Sequence, residues 1–230
     1  MRTYRLWIST PDQPGLIYKI SKSLLDEGFN IEENHEFVDK EGNLFLMRTE
    51  IFGEGAADIL EQKLTTVLPE NSTIEVIPAR KKKIVLLCTK EAHCLGDILI
   101  QHDSGELGTE IQAVISNHQV LGDLVQRFGL PFHHVTHEDC TREEHEAQVM
   151  DIIDSFSPDL IVLAKYMRVL TPAFVERYAG KILNIHHSFL PAFVGANPYK
   201  QAHQRGVKII GATAHVVSDD LDEGPIIAQN

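Results

Sequence analysis

Lys-Ile-Leu-Asn-Ile-His-His-Ser-Phe-Leu-Pro, residues 181–191, and Gly-Ala-Thr-Ala-His-Val-Val-Ser-Asp-Asp-Leu-Asp-Glu-Gly-Pro, residues 211–225, repeat one design. Each is an apolar run that ends in a knot of hydrogen-bonding and titratable side chains. A strand that delivers polar groups to its carboxyl end in an open α/β sheet reads this way. Asn184 and His186 lie two residues apart, so on a strand they share a face, roughly 7 Å from one another. A second strand that brought Asp222 beside them would complete a set of amide donor, imidazole and carboxylate. That set suits attack on a carbonyl carbon: donors stabilise the oxyanion and the carboxylate handles the proton, with no serine or cysteine nucleophile.

Outward from this stretch the pattern persists. Ile84-Val85-Leu86-Leu87-Cys88, residues 111–115 and residues 160–164 are short apolar runs of the kind buried on both faces of a parallel sheet. Helices are expected between them over 94–102, 121–128 and 143–156. Thr171-Pro172 supplies a cap and a first-turn proline for a helix reaching Tyr178. Residues 81–230 are therefore expected to form a Rossmann-like, doubly wound α/β domain. No Gly-x-Gly-x-x-Gly follows the first strand and no Gly-Lys-Ser/Thr loop is present, so nucleotide cofactors have no support.

Residues 1–80 read differently. A strand over 3–9, a break at Pro11-Asp12-Gln13-Pro14-Gly15, a helix to Gly28, a hairpin over 30–52, a helix over 59–68 and a strand over 72–77 give β-α-β-β-α-β, the ferredoxin-like plan. The run Arg80-Lys81-Lys82-Lys83 between the parts reads as a solvated linker. A formal net charge of −12 argues against a nucleic-acid surface, which needs a basic face. No apolar run approaches the roughly 20 residues that span a bilayer, and the N-terminus lacks a signal-peptide core, so a cytoplasmic location is expected. Cys88, Cys94 and Cys140 read as reduced thiols.

Asn184-Ile185-His186, Ser188-Phe189-Leu190-Pro191 and His215 ahead of Asp222-Glu223-Gly224-Pro225 together resemble the signature of the folate-dependent formyltransferase superfamily, over 82–230. The resemblance implies that Asn184, His186 and Asp222 are the catalytic trio and that 10-formyltetrahydrofolate donates the formyl group. It implies a pterin pocket from Tyr166, Met167, Arg168 and Leu170 with Val217 and Leu221, and support from His215 and Ser188. Asp219 and Asp220 compete with Asp222 for the carboxylate role, and register against the motif favours Asp222. Where relatives often carry proline after the histidine, this chain has His187, expected on the opposite face of the strand. The loop 195–198 is expected to cover the site, and further strand and helix are expected beyond Asn230.

The first 80 residues resemble the ACT domain, an amino-acid-binding regulatory module that pairs with a second copy. This implies an effector such as glycine or methionine near Asp12, Pro14, Gly15 and Leu16, and a homodimer or tetramer. Superfamily members with such a module in front hydrolyse 10-formyltetrahydrofolate to formate and tetrahydrofolate, in one-carbon balance for purine synthesis, with no cofactor. The alternatives are transfer to an amine such as glycinamide ribonucleotide, hydrolysis of another formyl compound, or an amino-acid sensor with an inactive α/β domain. His133, His134, His137 and Cys140 match no standard metal spacing and read as a solvated strand end, with no metal expected.

Overall fold

Alternation at the N-terminus makes a strand in the computed structural model, β1 (Arg2–Pro11), with Tyr4, Leu6, Ile8 and Thr10 facing inward. Residues 2–195 and 197–230 are described. Gly15, at φ +89°, turns the chain into α1 (Leu16–Asp26), whose Leu16, Ile20 and Leu24 recur every fourth residue on the buried face. There follow β2 (Phe29–Asp39), β3 (Leu44–Gly53), α2 (Ala57–Val67) and β4 (Thr73–Pro78). The sheet order is β2-β3-β1-β4, all antiparallel, with Ile51, Leu60 and Leu64 completing a core under the two helices. This unit ends at Arg80, and a second runs Lys81–Asn230.

The second unit contains β5 (Lys82–Cys88), α3 (Ala92–Asp103), β6 (Thr109–Ser116), α4 (Gly122–Arg127), β7 (Phe132–His134), α5 (Arg142–Phe156), β8 (Leu160–Ala164), α6 (Pro172–Arg177), β9 (Ile182–His186), α7 (Pro198–Gln204), β10 (Thr213–Val216) and β11 (Ile226–Gln229). Its sheet runs β11-β10-β9-β8-β5-β6-β7. From β5 the chain winds outward through β6 and β7, then returns to the other side of β5 for β8 and β9, all parallel. The order reverses between β5 and β8, where an open α/β sheet leaves a crevice at its carboxyl edge.

The continuous apolar runs have a simple cause. Val85 and Leu87 of β5 enter a core with Phe174 and Ile153 on one face, while Ile84, Leu86 and Cys88 enter another with Leu95 and Leu99. Both faces are covered, so the central residues of β5, from Ile84 to Cys88, are all apolar. Two features depart from the sequence expectation. β10 and β11 are antiparallel, so the sheet is mixed at that edge. α7 follows the expected loop 195–198, in which Ala196 lies outside the described residues; with Pro198 and Ala202 as its buried residues, it carries too small an apolar stripe to announce itself.

Candidate active site

β9 and β10 pair so that Asn184 faces His215 and His186 faces Thr213. His215 is buried, and its Nδ1 is 3.1 Å from the Val216 carbonyl, to which it donates. That bond leaves Nε2 as an acceptor, and the Asn184 amide donates to it at 3.1 Å. The amide is thus fixed with its second N–H free to serve another acceptor.

His186 is also buried, and its Nε2 donates to the Phe193 carbonyl at 2.9 Å. The other nitrogen, Nδ1, lies 3.3 Å from Oδ2 of Asp222. Oδ2 also accepts the Gly195 N–H at 2.9 Å. With the Nε2 proton spent on Phe193, a favourable Nδ1–Oδ2 contact needs one further proton between ring and carboxylate. The pair is therefore a store for a single proton. Oδ1 lies 3.7 Å from His215 Nε2, beyond hydrogen-bond reach. Asp222 holds φ at +60°, a left-handed conformation that aspartate tolerates better than most residues.

Two devices hold the loops that meet here. Buried Thr213 donates to the Ser188 carbonyl at 2.7 Å and accepts from the Leu190 N–H and the Gln229 amide, both at 3.0 Å. Gly224 lies so close to the preceding strand that a Cβ would sit 1.7 Å from the Val216 carbonyl oxygen. The return of the chain after Asp222 passes through a space with room for hydrogen alone.

Residues 82–230 match the formyl transferase family. The formyltetrahydrofolate deformylase of Escherichia coli K12 is 56% identical over 220 residues, covering 96% of this chain and 79% of that protein. The Bacillus subtilis protein of the same name is 42% identical, covering 98% of this chain and 77% of its own length. The crystal structure of a formyltetrahydrofolate deformylase from Pseudomonas syringae pv. tomato DC3000 superposes with a TM-score of 0.86 at 39% identity, covering all of this chain and 79% of that one. The chain belongs to the formyltetrahydrofolate deformylase family.

In this member of the deformylase family the trio lines a cavity of about 470 Å³. Tyr166, Met167, Arg168, Leu170, Val217 and Leu221 line it, as does His215, together with Asn184, His186 and Asp222. Ser188 is not among the described lining residues; it is buried and donates to the Phe193 carbonyl at 3.2 Å, behind His186. Asp219 lines the cavity, while Asp220 and Glu223 are exposed and outside its lining. Burial pushes the Tyr166 hydroxyl up to about 12, so it remains a neutral donor.

His187 corrects an expectation. Strand β9 ends at His186, so alternation no longer governs the next side chain, and His187 lines the same cavity, its ring 5.5 Å from that of His186 and 5.2 Å from Tyr199. Burial, then the neighbouring His186 ring and Lys165 ammonium, hold it below the ordinary histidine range. Lys165 is another lining residue the sequence did not single out; it sits at φ +56° at the end of β8 and pairs with Glu91 at 2.5 Å. A charged residue directly after the apolar run 160–164 was the available signal. His133 is packed edge-on against Phe156 at 5.7 Å instead of being solvated, and His137 against His118 at 5.1 Å. Among the described residues no three His, Cys, Asp or Glu converge as metal ligands.

Proposed function

We propose that this enzyme hydrolyses 10-formyltetrahydrofolate to tetrahydrofolate and formate, with Asn184, His186 and Asp222 as its catalytic residues. The observation that carries the reading is the convergence of these three side chains in one cavity whose lining also includes the apolar Met167, Leu170, Val217 and Leu221 and the polar Lys165 and Arg168. The apolar side chains suit a flat pterin, and the trio receives the formyl group. Relatives named for this hydrolysis match across both units, which favours water over an amine acceptor.

Water bound at Oδ1 of Asp222 attacks the formyl carbon and gives its proton to the carboxylate–imidazole pair. The free N–H of Asn184 donates to the oxygen as it becomes negative; one such donor is worth roughly 2.7–4 kcal/mol. His186 spends its Nε2 proton on Phe193, so its part is to share the stored proton with Asp222, and Asn184 carries the oxyanion. Breakage of the C–N10 bond returns that proton to N10, releasing formate and tetrahydrofolate. Water is the only co-reactant, so the chemistry calls for no cofactor.

The first unit is read as an ACT-like module, in keeping with its element order. Its α1 starts at Gly15 with no side chain capping it, which suits an amino-acid carboxylate held near Asp12, Pro14 and Leu16, from glycine or methionine, in a dimer or tetramer. This reading puts the enzyme in the cytoplasm, within one-carbon supply to purine synthesis; no described helix is long and apolar enough to cross a membrane. The test is formate and tetrahydrofolate production from 10-formyltetrahydrofolate without any acceptor, with glycine or methionine then added. Stoichiometric release supports hydrolysis. Turnover only after an amine acceptor is supplied overturns it.

A further inference from the structure

All six residues of the segment 165–170 line the cavity, yet it belongs to no helix or strand. Tyr166 and Leu170 are buried in the core, but Met167 and Val169 between them are more than half exposed, so packing fixes the ends of the segment and does little for its middle. The backbone is instead held from outside. At its start the Met167 N–H donates to the Thr89 hydroxyl at 2.9 Å. At its far end two residues of α5 reach across, one helical turn apart on one face. Arg142 donates through its guanidinium to the Val169 carbonyl. Glu146, 2% exposed, accepts the Thr171 N–H at 3.1 Å on each carboxylate oxygen and also the Thr171 hydroxyl. Arg142 and Glu146 are themselves 3.6 Å apart.

A buried carboxylate is costly unless its partners compensate it. Here the described partners of Glu146 sit at the end of this one segment: Thr171 is the residue that follows it and caps α6, and Arg142 holds the Val169 carbonyl. Neither Arg142 nor Glu146 is among the described residues lining the cavity. We propose that Arg142 and Glu146 are positioning residues for the reduced folate: they fix the 165–170 backbone in the conformation that receives the pterin, without touching it. This rests on reading the cavity as the folate site. The trio on β9 and after β10 is held separately, by His215, Thr213 and Gly195. Loosening the segment should therefore weaken folate binding and leave the bond-breaking step intact.

The experiment uses Arg142→Ala and Arg142→Lys in the full chain, because Arg142 is partly exposed and its loss leaves no cavity. Tetrahydrofolate binding is measured by calorimetry, and kcat and KM by formate release. Arg142→Ala is expected to weaken tetrahydrofolate binding and raise KM by about 5- to 20-fold, with kcat within threefold of wild type and Arg142→Lys recovering part of the loss; a hydrogen bond to a charged donor is worth this much. Glu146→Gln, which leaves one acceptor oxygen for Thr171, should act in the same direction. Unchanged binding, or a fall in kcat equal to the loss in kcat/KM, overturns the proposal. Wild type that binds tetrahydrofolate but releases no formate sinks the hydrolytic reading alone, and the binding arm still decides this one. Wild type that binds no reduced folate overturns both.

Discussion

Asp222→Asn isolates the proton store from the architecture around it. Asparagine accepts the left-handed φ of +60° as readily as aspartate does, and its amide oxygen can take the place of Oδ2 in accepting the Gly195 N–H, a bond of 2.9 Å. The loop should stay in place. What is lost is the base that receives the water proton, shares it with His186 across 3.3 Å and returns it to N10. General acid–base groups of this kind contribute about 10²–10⁴ in rate, which at 1.36 kcal/mol per decade is roughly 2.7–5.4 kcal/mol of barrier. Formate release at saturating 10-formyltetrahydrofolate should thus fall by that factor, while KM stays within about threefold and the melting temperature within a few degrees. A variant that keeps a tenth of wild-type kcat would refute the assignment of the proton store to Asp222. A variant that loses its melting transition would show that the charge holds the loop, contrary to the geometry.

Asn184→Ala should lower kcat by about 10²–10³ with little change in KM, since it removes the one free donor aimed at the developing oxyanion; a loss under tenfold would move that role elsewhere. Thr213→Val strips partners from the Leu190 N–H and the Ser188 carbonyl together, and chemical denaturation should register a loss of about 1–3 kcal/mol. His145 is fully buried, with Nε2 donating to the Val135 carbonyl at 3.1 Å, and burial holds its ring below its unfolded value of 6.5. The unfolded chain therefore binds the extra proton first. The stability this neutral ring permits is complete above pH 6.5 and is lost as pH falls below it, by up to about 1.4 kcal/mol per pH unit. In His145→Gln that part of the acid slope should vanish; parallel stability–pH curves for the two proteins would refute it.

Much of this was legible in the sequence, for identifiable reasons. β5 and β8 announced themselves because both faces are covered over 84–88 and 160–164, leaving no polar residue in either run. Asn184, His186 and Asp222 were legible as a spaced set of side chains whose chemistry belongs together. The partners that orient them were not, because they are backbone: the Phe193 carbonyl that takes the His186 proton and the Gly195 N–H that holds Asp222 carry no mark in the residue string. Glu146 was hidden differently. A glutamate in the first turns of an amphipathic helix reads as solvated, and only the approach of Thr171, twenty-five positions later, makes it a buried anchor. His187 escaped because alternation was carried one residue past the end of β9.

Gly224 has a consequence for how the motif around Asp222 should be understood. Aspartate and glycine stand two positions apart in the same short signature, yet they fail in opposite ways. A change at 222 is expected to leave a protein that folds and turns over poorly. A change at 224 puts a methyl group against the Val216 carbonyl and evicts the whole turn, so the carboxylate never arrives. In a saturation library scored for growth the two positions would look equally intolerant, and a second score for abundance would part them. Half of such a signature is reagent and half is clearance.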